Sequence, residues 1–468
     1  MADVLENAFP RRSAAQSTIR PRQSRGSVPS AYDLRRTKLA FLGLCCYLIA
    51  QAVYIPVLAV GPSWAIWPTP PDLAVIALGM GFLLNHGGLR IASRSKLLIL
   101  RGLMLISLGF MGVFFVRGPM QRILGLSGDS GFMSYGVYPI YRMLQFLLVF
   151  RVAAGMPLSA GRLKALSGIT SVVLAFVALS VLATFTSVLD TRRLMGHMPV
   201  NPVVAGAWSV LADQQRYGCG TIGYDHAYTA LQLIMLLALR TSLTRRKRVV
   251  IDTAFLLMTI SAVFLTSSRS GLAAMLVYSI AYFVQRPASL LVAIGICCLS
   301  LFVLGRVMRS PLPDLSENIE RGLTLANPLA SDNLSGRQEI WHETLDLLGN
   351  DSVSWVIGRG PGYITQFSRT AHNMYLQTLV ELGIVGLLVF LAFMSRIVGL
   401  LRRYESGTKP ILVATVAFLL TSFTQETFYP VTFLGHFLGL YLLSLAIALN
   451  LGHTAGRRAQ PMLGRSSG

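Results

Sequence analysis

The chain has 468 residues, 53% of them hydrophobic and only 13% charged, with a mean hydropathy of +0.58. A soluble globular domain carries about 25% charged residues, so the composition excludes that class and points to a membrane protein. The formal net charge of +21 would suit a nucleic-acid surface or an orientation signal, and the placement of the basic residues decides between them.

Residues 1–37 are rich in Arg, Ser and Pro and predict a disordered, basic cytoplasmic tail. They do not read as a cleaved signal peptide, because a long polar stretch precedes the first apolar run and that run is itself long enough to span. Arg11 and Arg12 lie too far from it for a twin-arginine signal.

A transmembrane helix needs about 20 mostly apolar residues, and about twelve such runs are present. They centre near residues 49, 79, 107, 146, 176, 232, 258, 277, 298, 386, 419 and 440. The second is short and the fourth contains Arg142. Continuous apolar runs do not fit the alternating strands of a barrel. The expected fold is all-α, a polytopic transmembrane bundle. Residues 38–308 would hold helices one to nine, 309–373 a long periplasmic loop with amphipathic helices, and 374–450 helices ten to twelve. Residues 451–468 would form a second cytoplasmic tail.

With the N-terminus inside, the strong basic clusters all fall on one side. They are the N-terminal tail, Arg90 with Arg94 and Lys96, Arg162 with Lys164, and Arg245 to Arg248. Arg402 with Arg403 and Lys409, and Arg457 with Arg458, complete the set. Cytoplasmic loops collect Lys and Arg in this way. The charge is therefore an orientation signal, and no nucleic-acid partner is expected, because no basic domain exists outside these loops.

Two substantial segments then face outward, about 190–222 and 309–373, together with the short turn Ser267-Ser-Arg269-Ser-Gly271. In the long one, Ser335 with Gln338 fits a capping box. Ile340, Trp341, Leu345 and Leu348 follow at helical spacing, which predicts an amphipathic helix lying on the bundle. Arg337 occupies its first turn, an unfavourable place for a cation in dipole terms. Gly358-Arg359-Gly-Pro-Gly362 lacks the nucleotide-loop pattern; it predicts a tight turn, with a backbone nest for an anion as the alternative. His372 and Asn373 stand at the mouth of the tenth helix, and Tyr375 follows in its first turn.

Several Arg residues gathered over a membrane suit a phosphate ligand, since the guanidinium fork stays charged and binds two oxygens. A neutral His beside them can act as a general base. His197, His226, His342 and His372 show no metal-binding spacing, and no paired carboxylates mark a nucleotide-sugar site, so neither metal nor cofactor is expected. Cys45, Cys46, Cys297 and Cys298 lie in apolar runs and Cys219 stands alone near the outer face, which gives no disulfide framework.

At four stretches the chain resembles the O-antigen ligase and polysaccharide polymerase (Wzy-type) superfamily of bacterial envelope membrane proteins. Arg216-Tyr-Gly218 with Asp225-His226 resembles the outer-loop Arg segment, although many relatives show Pro-Asn where this chain has Asp-His. Ser267-Ser-Arg269-Ser-Gly-Leu272 resembles the Ser-Arg-Gly-Gly turn, and Ser335-Gly-Arg337 with Trp341 the long-loop helix. His372-Asn373 followed by Gly383-Ile-Val-Gly386 resembles the His-Asn motif of the ligases.

The resemblance covers about residues 210–400, and the N-terminal third carries no matching motif. It implies a metal-independent, inverting glycosyltransferase of the inner membrane, acting at the periplasmic face on a glycan carried by undecaprenyl diphosphate. Arg216, Arg269 and Arg337 would hold the diphosphate, and His372 would take the acceptor's proton. Arg359, Trp341, Asn373 and Tyr375 would contact substrate. The acceptor is a second lipid-linked repeat in a polymerase, towards which the reading leans, or lipid A-core in a ligase. A transporter for lipid-linked sugars is a more distant alternative. It is disfavoured because transporters place ionisable residues at the midplane, whereas here they gather at the outer face.

The topology has a direct test. In a cysteine-free background, Ser335→Cys should react with an impermeant thiol reagent added to outer-membrane-permeabilised cells, and Arg246→Cys should not. Labelling at 246 reverses the orientation.

Overall fold

The computed structural model describes residues 34–35, 37–59, 67–85, 89, 91, 93–120, 130–215, 217–223, 225–244, 248–307, 316–323, 337–349, 351–364, 370–404, 407–430 and 436–459. Arg216, Ser335, Arg246 and Arg369 lie outside them, as do most of the two tails and the Ser335 half of the expected capping box. Among the described residues the architecture is all-helical.

Each of the apolar runs forms a helix. In chain order these are α1 (Lys38–Ala50), α2 (Pro70–Asn85), α3 (Arg94–Phe115), α4 (Ser130–Gly155) and α5 (Ala160–Phe185). After α6 (Pro202–Gln215) come α7 (His226–Leu243), α8 (Val249–Leu265), α9 (Arg269–Gln285) and α10 (Pro287–Val307). The long polar segment contributes α11 (Ser316–Leu323), α12 (Arg337–Asp346) and α13 (Ser352–Ile357). The chain closes with α14 (Met374–Arg403), α15 (Lys409–Thr421) and α16 (His436–Ala459), which continues past the expected boundary at residue 450.

By length and composition, four helical stretches can cross a membrane: Arg94–Gly118, Gly136–Gly155, Ala160–Phe185 and Met374–Arg403. A fifth is reached if α9 and the start of α10 count as one span, bent by 117°. Six further apolar helices among the described residues have 10–17 residues, so a count near twelve requires these shorter helices and the 18-residue α7 to span as well.

Helix α7 forms the axis of the fold. It is mostly apolar and buried from Ala227 to Leu243, and its few polar groups, such as Gln232 and Arg240, find partners inside the bundle. Around it pack α5, α8, α9, α15 and α16. Outer helices instead expose Leu83, Leu84, Leu291 and Leu388, which suits a lipid environment.

Polar groups inside such a bundle must find partners in the protein. Arg142 of α4 is 4% exposed and bonds Asp72 of α2, Gln145 at 3.0 Å and His436 of α16 at 2.6 Å. Arg240 and Arg286 share Asp252, at 2.9 and 3.2 Å. Two cations expected to be loop charges are instead buried fasteners. Lys96 bonds the Ala154 carbonyl and Asn450, and Arg162 bonds Thr37 and two carbonyls and stacks on Phe41. A guanidinium or ammonium group at a helix end can orient the chain and hold it at once.

Arg142→Leu strands the Asp72 carboxylate in the bundle. Removing one partner of a buried pair costs about 3–5 kcal/mol, so the variant should lose that much stability on thermal or denaturant unfolding in detergent. The Arg142→Leu, Asp72→Leu double variant should recover most of it. Equal losses in both variants would show that the charge pair is not what the single change disrupts.

Candidate functional site

The chain turns from α8 into α9 at Ser267, whose φ of 53° is left-handed. Ser268 caps α9 by accepting the Gly271 amide at 3.0 Å. A side chain at Gly271 would overlap the Ala230 methyl, so this glycine lets α9 lie directly against α7. The sequence Ser-Ser-Arg-Ser-Gly thus serves as a turn, a cap and a close approach, and it delivers Arg269 at the first position of α9.

Arg337 occupies the same position on α12. Burial pushes its guanidinium below the ordinary value, the Glu426 and Asp225 carboxylates pull it back up, and the positive charge of Arg269 pushes it down again. Those causes place four groups from four separate segments in one electrostatic neighbourhood. Asp225 is the cap of α7, accepting the Ala227 and Tyr228 amides, and Glu426 follows α15. Both Arg residues sit at helix N-termini, where the helix dipole opposes a cation. Two guanidiniums and two carboxylates thus act on one another here.

His372 also sits in a left-handed conformation, at φ 46°. Its Nδ1 lies 3.4 Å from the Thr370 hydroxyl and 3.9 Å from Oε1 of Glu426. Its side chain is 38% exposed, whereas Glu426 is 2% exposed, and among the described residues Oε1 of Glu426 has no hydrogen-bond partner. A buried carboxylate oxygen without a donor is costly. A small rotation of His372 would bring Nδ1–H into bonding range and leave Nε2 as the free, basic nitrogen.

The four expected contact residues are placed differently. Trp341 donates from Nε1 to the Ala371 carbonyl at 3.0 Å, tying α12 to the His372 loop. Asn373 caps α14, accepting the Tyr375 and Leu376 amides at 3.0 Å. Tyr375 turns its hydroxyl into the bundle, donating to the Leu419 carbonyl at 2.7 Å. Arg359 donates to the carbonyls of Leu347 and Leu348. All four act here on the protein's own backbone. In α12, Thr344 is buried and Leu345 is 36% exposed, so the apolar spacing that included Leu345 misplaced its inner face by one residue.

The glycine segment is a turn, and the anion in its nest is internal. Gly362 and Ile364 donate their amides to the Glu381 carboxylate, which Gln377 and the Tyr429 hydroxyl also bond. Helix α14 breaks at Gly383, φ 71°. The break leaves the carbonyls of Val380 and Glu381 to accept the Arg359 and Gly360 amides at 2.8 and 2.9 Å. A Cβ at Gly383 would overlap the Val356 carbonyl, and one at Gly358 the Glu381 backbone. The two glycines let the loop seat itself on the unwound turn of α14, about two to three helical turns beyond His372.

Arg269, Arg337 and His372 are brought into one neighbourhood. Glu426 and Asp225 share it; Asp225 was legible only as part of a motif, and Glu426 was not singled out. Acidic residues number only 20 in the chain, and a carboxylate between apolar runs is itself a marker of function. That was the available signal. Among the other histidines, His226 lies against the Tyr217 ring and His197 bonds the Val57 carbonyl. Burial pushes the Cys219 thiol up to about 12, so it is inert.

Residues 253–391 match the family model described as O-antigen ligase. That stretch, under a third of the chain, contains Arg269, Arg337 and His372 and stops short of Glu426. A comparison with curated proteins returns no match.

Gly383→Ala should force the loop off α14, an overpacking cost of about 1–3 kcal/mol. Protease added to the purified protein should then cleave between residues 351 and 370 faster than in wild type. An unchanged rate would mean that the glycine contact does not hold the loop.

Proposed function

We propose that the protein is a metal-independent, inverting glycosyltransferase that moves a glycan from undecaprenyl diphosphate to a sugar hydroxyl during surface-polysaccharide assembly. The active site lies on the periplasmic side of a multi-pass inner-membrane bundle. The observation that carries this reading is the meeting of Arg269, Arg337, His372 and Glu426 at one end of the bundle. Beside it, a cavity of about 170 Å³ lined by Phe110, Thr378, Leu382, Val389 and Tyr441 reaches Met374, two residues from His372. Its wall is apolar and suits the carrier's hydrocarbon chain.

In the reaction, the acceptor hydroxyl attacks the anomeric carbon, and its proton passes to Nε2 of His372. The bond from that carbon to the diphosphate breaks on the opposite face, which inverts the configuration. Arg269 and Arg337 meet the charge that builds on the departing diphosphate, a form of electrostatic catalysis. Glu426 holds Nδ1 of His372 and stabilises the imidazolium. Arg216 joins the arginines by resemblance alone.

Polymerisation of lipid-linked repeats is the first reading. Ligation to lipid A-core is the second, favoured by the family description of residues 253–391.

Purified protein, given donor and each acceptor in the presence of a chelator, tests mechanism and product together. His372→Ala should keep donor binding and lose about 10²–10⁴ in turnover, the usual worth of a positioned base. Arg337→Lys should weaken donor binding, since Lys keeps the charge and loses the two-pronged geometry. Glu426→Gln should lower turnover by at least about tenfold, in line with the loss of a base-orienting carboxylate. Wild-type turnover in His372→Ala, or loss of wild-type activity to the chelator, would refute the mechanism.

A further inference from the structure

At the opposite end of α9 from Arg269, roughly 25 Å away along a 17-residue helix, lies a second cavity that the transfer reaction does not use. It measures about 270 Å³ and is lined by Thr241, Tyr278, Tyr282, Gln285, Arg286, Lys409, Pro410 and Val413, of which the two cations and Tyr278 carry the argument.

Arg286 stands at the 117° bend between α9 and α10. It lies over the Tyr282 ring at 5.0 Å, with Nη1 3.2 Å from Asp252 and 3.3 Å from the Tyr282 hydroxyl. Asp252 is shared with Arg240, so one carboxylate offsets two guanidiniums. Lys409 adds a third cation and makes no ion pair among the described residues.

Lys409 also opens α15, a 13-residue helix whose N-cap, Thr408, makes no side-chain capping bond. Its hydroxyl is committed to the carbonyls of Leu401 and Tyr404. The Tyr278 side chain, 2% exposed, forms part of the cavity wall beside Thr241, and its hydroxyl makes no well-formed hydrogen bond. An excess of positive charge, an uncapped helix N-terminus and a buried hydroxyl therefore converge on one space, whose wall is completed by Thr241, Tyr282, Gln285, Pro410 and Val413.

We propose that this cavity binds a phosphate group, carried by an anionic phospholipid of the leaflet on the side of the basic loops. Arg286 and Lys409 hold the phosphate oxygens, the Tyr278 hydroxyl donates to one of them, and Pro410 and Val413 flank the glycerol and upper acyl chain. Lys and Arg near an anionic headgroup each contribute about fivefold in affinity, at about 1 kcal/mol per residue. The site is independent of the transferase chemistry and stands or falls separately from it.

The full chain, purified into phosphatidylcholine nanodiscs, is titrated with phosphatidylglycerol or with soluble glycerol 3-phosphate, and binding is followed by native mass spectrometry and thermal shift. Phosphatidylglycerol should bind and stabilise wild type. Lys409→Gln and Arg286→Gln should each weaken that binding about fivefold, and Tyr278→Phe should weaken it while leaving the charge unchanged. Arg402→Gln, a change to an exposed cation outside the cavity, should leave it intact. Binding of glycerol 3-phosphate as tightly as the lipid supports the phosphate site with a soluble occupant as its source. No preference of wild type for either phosphate probe over phosphatidylcholine alone overturns the proposal. So do wild-type affinities in both Lys409→Gln and Arg286→Gln, or an equal loss in Arg402→Gln, which would mark diffuse surface charge.

Discussion

The constraint that organises this protein is that charged and polar groups buried in an apolar bundle must be satisfied by the protein itself. Three internal knots answer it. Asp72, Arg142, Gln145 and His436 join α2, α4 and α16, and Arg240, Asp252 and Arg286 join α7, α8 and the bend after α9. Glu381 gathers the glycine loop, Gln377 and Tyr429 around the first turns of α14. The first knot crosses between helices distant in sequence, the others between nearer segments. Between similar apolar surfaces, where hydrophobic burial discriminates poorly, such pairs specify which helix sits beside which.

Against that background, the candidate site stands apart. Glu426 is buried with one oxygen lacking a donor, and His372, strained at positive φ, sits just beyond bonding distance. Arg269 and Arg337 hold cations against the sense of their helix dipoles. Such arrangements cost stability, and they persist because the surrounding helices fix them. The transfer proposed above rests on this arrangement of two guanidiniums, a buried carboxylate and a half-exposed imidazole.

Backbone devices make that placement possible. Ser267, Gly271, Gly358 and Gly383 each occur where a left-handed residue or a close helix approach is needed. Asn373, Ser268 and Asp225 each cap the helix that carries or adjoins a functional group. Motif residues such as Asn373, Tyr375, Trp341 and Arg359 act on backbone groups and so set the position of His372 and Arg337.

The sequence by itself determined the helical class, the position of nearly every helix and the polar segment that carries Arg337 and His372. Those features rest on local information: apolar run length, turn residues and caps. It also singled out Arg269, Arg337 and His372 as candidates, through residue type and a family resemblance. Tertiary structure alone decided that Glu426 lies opposite His372 and that Asp225 and Glu426 balance Arg337. It alone showed that Lys96 and Arg162 are buried fasteners, and that the anion in the glycine nest is the protein's own Glu381. The reason is physical. These partners are separated by tens to hundreds of residues, and a charge in an apolar bundle finds its counter-charge through helix packing, which no local pattern encodes.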